Sequence, residues 1–100
     1  MFMKTQREYI DILSKNAKKI REDFGIKSLC LFGSVARNEQ NENSDVDICV
    51  TMEANPFLRL RVKEYLENIL GSPVDVIREH NNMNNYLKQQ IHKDAVYIFQ

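Results

Sequence analysis

The stretch from Leu29 to Val50, LCLFGSVARNEQNENSDVDICV, constrains this chain more than any other. An apolar run from Ser28 to Phe32 stops at Gly33-Ser34, a polar connector follows, and a second apolar run, Val46 to Val50, carries Asp45 and Asp47 at its start. Side chains alternate between the faces of a strand, so Asp45 and Asp47 point one way while Val46, Ile48 and Val50 point the other. Two carboxylates about 4 to 5 Å apart repel by on the order of 3 to 4 kcal/mol at an effective dielectric near 20, and something must offset them. Mg2+ is the economical answer: it prefers carboxylate oxygens and takes only one or two of them, completing its shell with water and substrate phosphates. Opposite stands Gly33-Ser34, at the start of a short helical turn, Ser34 to Arg37. Glycine admits a close backbone approach, Ser34 offers a hydroxyl and an amide, and the first amides of a helix attract anions. Phosphate on one side and metal on the other is the geometry of a nucleoside-triphosphate site. Neither half is specific alone, because Asp-x-Asp at a strand end is also a common loop pattern in which Ser44-Asp45 caps a turn and Asp47 is solvated.

The rest of the chain supplies cover for these strands. Thr5 to Asp23 reads as one amphipathic helix with Tyr9, Leu13, Ala17, Ile20 and Phe24 at helical spacing, a capping box from Thr5 and Glu8, and a stop at Gly25. Ile26 to Phe32 is the first strand, and its apolar residues on both faces make it central. Asn55-Pro56 starts a second helix that runs to Gly71. It joins the second strand to the third, Pro73 to Ile77, and a crossover of this kind permits parallel pairing. Asp75 projects from a Val-rich strand and is costly there without a partner; a solvated edge position is the bland alternative. Tyr86 to Asp94 reads as a last short helix, and Val96 to Phe99 as an extended end. His80 is placed near the site end of the third strand and His92 on the last helix, both ordinary surface or packing positions.

At 100 residues and 43% hydrophobic content, the expectation is one compact domain over residues 1–100. A net charge of zero provides no global basic field, so a nucleic-acid substrate is not favoured. Cys30 and Cys49 sit inside apolar runs without metal spacing and read as buried free thiols. No run is long enough to span a bilayer and the opening MFMKTQREY has no signal-peptide core, so the expected compartment is the cytoplasm, with no membrane partner.

Gly33-Ser34, ten residues, then Asp45-Val-Asp47 between two apolar strands, with Asp75 later in a third, resembles the signature of the DNA polymerase beta-like nucleotidyltransferase superfamily. It is most similar to the minimal nucleotidyltransferase (MNT) domains, small proteins often paired with a HEPN-domain protein in toxin-antitoxin systems. The resemblance implies an α+β fold, a small mixed sheet of three to four strands covered by helices. It implies an enzyme that transfers a nucleoside monophosphate, AMP where ATP is the donor, from ATP or another NTP to a hydroxyl of a partner protein. Asp45, Asp47 and Asp75 would be the catalytic, metal-binding carboxylates for two Mg2+ ions; Gly33, Ser34 and Arg37 would bind the nucleotide. Arg37 has an alternative as a surface ion pair with Glu39 or Glu42. The family commonly has Gly where this chain has Asn38, and Asn is the non-glycine residue that best tolerates positive φ. The small size implies that the acceptor side comes from another molecule, a HEPN toxin by resemblance, or from a second copy in a homo-oligomer. A binding antitoxin without catalysis and a transferase acting on a small molecule are the alternatives.

Overall fold

The computed structural model describes residues 4–100; Met1, Phe2 and Met3, part of the opening stretch in the signal-peptide argument, lie outside the described residues. The elements run α1 (Gln6–Lys15), α2 (Ala17–Phe24), β1 (Ser28–Phe32), α3 (Gly33–Ala36), β2 (Val46–Thr51), α4 (Pro56–Leu70), β3 (Val74–Arg78), α5 (Asn85–Asp94) and β4 (Val96–Phe99). The four strands form one mixed sheet in the order β3-β2-β1-β4. β1 pairs antiparallel with β2 and with β4, while β2 and β3 run parallel because α4 crosses over between them.

Alternation along the strands builds two apolar layers. Leu29 and Leu31 of β1 and Val46, Ile48 and Val50 of β2 face Tyr9, Leu13, Ile20, Val62, Leu66 and Leu70 of α1, α2 and α4, all buried. On the opposite face Cys30 and Cys49, cross-strand partners, pack under Met83 and Ile91 of the α5 side. β1 is thus covered on both faces, as its continuous apolar run requires. Both cysteines are free and buried.

The opening helix is not continuous. Asn16 interrupts it: the Asn16 side-chain amide donates to the Ile12 carbonyl at 2.8 Å, beside the backbone bond from the Asn16 N–H to the same oxygen at 3.2 Å. A polar side chain that bonds back to the preceding turn competes with the helical ladder. Tyr65 of α4 donates to the Asn16 Oδ1 at 3.1 Å and ties the break to the core. The capping box is formed, with Thr5 Oγ1 accepting from the Glu8 N–H and Glu8 Oε1 from the Thr5 N–H. Gly25 and Gly71 end α2 and α4 in the left-handed region, and Asn55 caps α4 by accepting from the Phe57 and Leu58 amides. No helix among the described residues is long and apolar enough to cross a membrane.

Candidate active site

The site grows from the turn that ends β1. Phe32, its last residue, lies opposite Asp47 in the antiparallel register. The chain then turns at Gly33 with φ +71°, a conformation that costs glycine nothing. A β-carbon on Gly33 would lie 2.2 Å from Asp47 Oδ2, so the bare backbone of Gly33 is what leaves room for the Asp47 carboxylate. Ser34 follows in the first turn of α3, half-buried, with Val35 anchored in the core.

The other two carboxylates arrive from either side of Asp47. Asp45 precedes β2 by one residue and is exposed. Asp75 is in register with Asp47 across the parallel β2–β3 pair, so the two side chains share a sheet face one strand spacing apart, about 4.8 Å between backbones. Burial raises the Asp47 carboxyl above its ordinary value, the negative fields of Asp75 and Asp45 push it the same way, and Arg37 partly counters them. A half-buried carboxylate held beside two others is a site that favours a cation. Among the described residues no three Asp, Glu, His or Cys side chains are arranged to hold a metal ion by themselves. The donor set nevertheless fits Mg2+, which needs only one or two carboxylate oxygens when substrate phosphates supply further ligands.

The topology settles two placements. Asp75 is the second residue of β3 and exposed on an edge strand, the position given above as the alternative to a partnered carboxylate. The edge position lowers the cost of its charge, while the register still brings it to Asp47. His80 is not at the site end of β3. Parallel pairing places the carboxylates at the N-terminal ends of β2 and β3, and His80 follows the opposite end, roughly 16 Å along at 3.3 Å per residue.

Arg37 ends α3 with its Nε 3.2 Å from Glu39 and its Nη1 3.2 Å from Asp94 at the end of α5. The anticipated surface ion pair with Glu39 is present, and Asp94 is an addition that no local pattern announces. Ser44 closes the connector by accepting from the Asn41 N–H at 3.0 Å, so the turn is capped by Ser44 while Asp47 is drawn into the site.

Asn38 occupies the left-handed region at φ 58°. Its N–H donates to the Val35 carbonyl at 3.0 Å and the Glu39 N–H to the Ser34 carbonyl at 2.8 Å, the paired bonds of a Schellman motif closing α3. The backbone around Ser34 is therefore kept without glycine. Asn38→Gly is expected to change unfolding free energy by no more than about 0.5 kcal/mol, whereas Asn38→Val, forced into the same φ, costs about 1 to 2 kcal/mol; chemical denaturation measures both.

A family model described as the nucleotidyltransferase domain matches residues 13–98. A candidate protein adenylyltransferase of Methanocaldococcus jannaschii is 42% identical over 100 residues, covering 96% of this chain and 100% of that protein. The protein adenylyltransferase MntA of Thermococcus cleftensis is 36% identical over 100 residues, covering 98% of this chain and 100% of MntA. Among solved structures, a candidate minimal nucleotidyltransferase superposes with a TM-score of 0.78 at 28% identity, over 96% of this chain and 98% of the other. A toxin-antitoxin crystal structure with AMP-PNP superposes at 0.71 and 24% identity, over 86% of this chain and 72% of that one, a likeness of fold. With the match spanning most of the chain, this chain is an enzyme and a member of the nucleotidyltransferase domain family.

Proposed function

We propose that the chain transfers AMP from ATP to a hydroxyl group of a partner protein, and that this partner is a HEPN toxin which the modification neutralises in the cytoplasm. The observation that carries the reading is the placement of Asp47 between the bare Gly33 backbone and Asp75, with Asp45 and Asp75 exposed near the turn that would hold phosphate. The relatives named protein adenylyltransferase support the chemistry, and toxin-antitoxin assemblies of the same fold, one described as an AMPylated HEPN toxin with an MNT antitoxin, support the class of partner.

In this reading Gly33 and Ser34 seat the β- and γ-phosphates through the turn, with Arg37 at its rim. Asp45 and Asp47 would hold Mg2+ with Asp75 alongside; when bound, the ion neutralises charge on the phosphates and makes the attacking hydroxyl more acidic. The acceptor oxygen bonds to the α-phosphorus, the bond from that phosphorus to the bridging oxygen breaks, and pyrophosphate departs in line. Asp75, exposed at the sheet edge, takes the hydroxyl proton. Asp47, half-buried, keeps its orientation because Gly33 leaves it no competing side chain.

The test is incubation with α-labelled ATP, Mg2+ and the product of the adjacent gene, comparing wild type with Asp45→Ala/Asp47→Ala. Label on the partner with wild type alone is the expected result. An unlabelled partner that is bound and inhibited equally by both forms overturns the enzymatic reading for that pair in favour of a binding antitoxin.

A further inference from the structure

A groove of about 680 Å³ runs along the outer edge of β3 and touches the carboxylate cluster only at Asp75. One wall is α4, which contributes Arg59, Leu60 and Lys63; β3 and the loop after it contribute Asp75, Arg78 and His80. Three features of this groove are unused by the transfer chemistry.

The first is charge. Arg59, Lys63 and Arg78 stand against a single lining carboxylate, Asp75, and among the described residues none of the three is in a salt bridge. Arg78 Nη1 donates to the Met52 carbonyl at 3.4 Å, which leaves its charge uncompensated, and cations on neighbouring elements without carboxylate partners favour an acidic ligand. The second is backbone. Glu79 donates inward to the Val50 carbonyl at 2.8 Å, and Val74 donates away from β2 to Glu67 Oε2 at 3.0 Å. By alternation the N–H and C=O groups of Val76 and Arg78 also point away from β2, to the side where no strand among the described residues adjoins β3. An open strand edge of this kind is completed by an extended peptide. The third is apolar surface. Leu60 is 52% exposed at the groove and Phe57, one turn before it on α4, is 82% exposed.

We propose that this groove seats an extended acidic segment of the acceptor protein, added as a strand to the β3 edge, with its apolar side chains against α4 and its path ending at Asp75. The inference deepens the protein-acceptor reading and rests on it. β3 is five residues long and the segment in contact is of similar length, roughly 16 Å. A phosphate-rich ligand meets the cations equally well but its phosphates bring no donors for the edge carbonyls of Val76 and Arg78, and the direct comparison of acidic peptide with RNA separates the two.

The probes are a fluorescein-labelled short peptide alternating Glu and Val, its Lys-Val counterpart and a short single-stranded RNA, each titrated against the intact chain by anisotropy at low salt. Amide exchange of wild type is recorded by NMR with and without the Glu-Val peptide. The acidic peptide is expected to bind in preference to the other two, to slow exchange at Val76 and Arg78, and to lose affinity by about tenfold or more in Arg59→Glu/Lys63→Glu. Equal affinity for the charge-reversed variant, no added protection at Val76 and Arg78, or tighter binding of the RNA overturns the proposal. Calorimetric titration with MgATP separates the two readings. Peptide failure with ATP still bound removes the groove alone, whereas a wild type that binds peptide but no ATP removes the transfer reading and keeps the groove as a docking site. Circular dichroism of the double variant reports whether its fold is kept, and the exchange measurement on wild type decides the matter independently of it.

Discussion

Asp47→Asn is expected to abolish nucleotidyl transfer and yet raise the thermal stability of the nucleotide-free protein. The carboxylate is half-buried, sits in register with Asp75 and feels Asp45, and each of these disfavours its charge. Its folded-state carboxyl titrates above the ordinary value of 3.8, so the folded form binds the proton more tightly than the unfolded chain. Above that raised range the ionised group is held at a cost; as pH falls through it, the cost is relieved. The amide variant carries no such charge at any pH. Its melting temperature at neutral pH should therefore exceed that of wild type by a few degrees, and the gap should close as the solution is acidified through the Asp47 range. Arg37 moderates the effect through its opposing field. Activity should fall on the order of 10³-fold or more, since the charge that would hold the cation is gone. Melting curves from acid to neutral pH, beside a labelled-ATP assay, measure both. A variant that melts lower than wild type at neutral pH would mean that Asp47 supports the fold, and the strained-site account would fail.

Gly33→Ala is expected to cost both stability and activity, by two routes that can be measured apart. The added β-carbon falls 2.2 Å from Asp47 Oδ2 and 3.1 Å from its Cγ, inside contact distance, and the residue must hold φ +71°. The backbone part alone is about 1 kcal/mol, and displacing the carboxylate adds a comparable amount, for a total of about 1 to 3 kcal/mol and a melting point lower by about 5 to 15 °C. Gly25 is the internal control: its φ is +65° and a β-carbon there meets nothing within 4 Å, so Gly25→Ala should show the backbone part only. Shortening the partner in Gly33→Ala/Asp47→Ala should recover the contact part and leave the backbone part. A double-mutant cycle with no coupling between positions 33 and 47 would reject the packing of Gly33 against Asp47.

The two expectations bear on how the site and the fold are balanced. Natural active sites hold groups where stability alone would not place them, and here the destabilising group is the one that the proposed chemistry needs. The glycine turn is the opposite case, in which the conformation serves the backbone and the site together.

Much of this was written in local pattern. Alternation in Val46–Val50 placed Asp47 on the face opposite the core, and the apolar run Leu29–Phe32 placed β1 inside the sheet. The caps at Thr5, Asn55, Gly25 and Gly71 followed from side-chain chemistry within a few residues of each helix end. The resemblance carried by Gly33-Ser34 and Asp45-Val-Asp47 led to the family that the comparisons establish. The helix break at Asn16 was harder to read, because the surrounding periodicity continues through it and the Tyr65 hydroxyl that secures it comes from a distant element.

What sequence by itself determined was which residues alternate, where elements begin and end, and which groups have the chemistry for phosphate and metal. Those properties depend on neighbours within one or two turns. Tertiary structure decided the rest: that Asp75 stands beside Asp47 and on an edge, that His80 lies at the far end of its strand, that Asp94 reaches Arg37, and that α4 and β3 enclose a basic groove. Each depends on strand order, register or the packing of elements far apart in the chain. Those are fixed by the burial of both sheet faces as a whole, a condition that no local window contains.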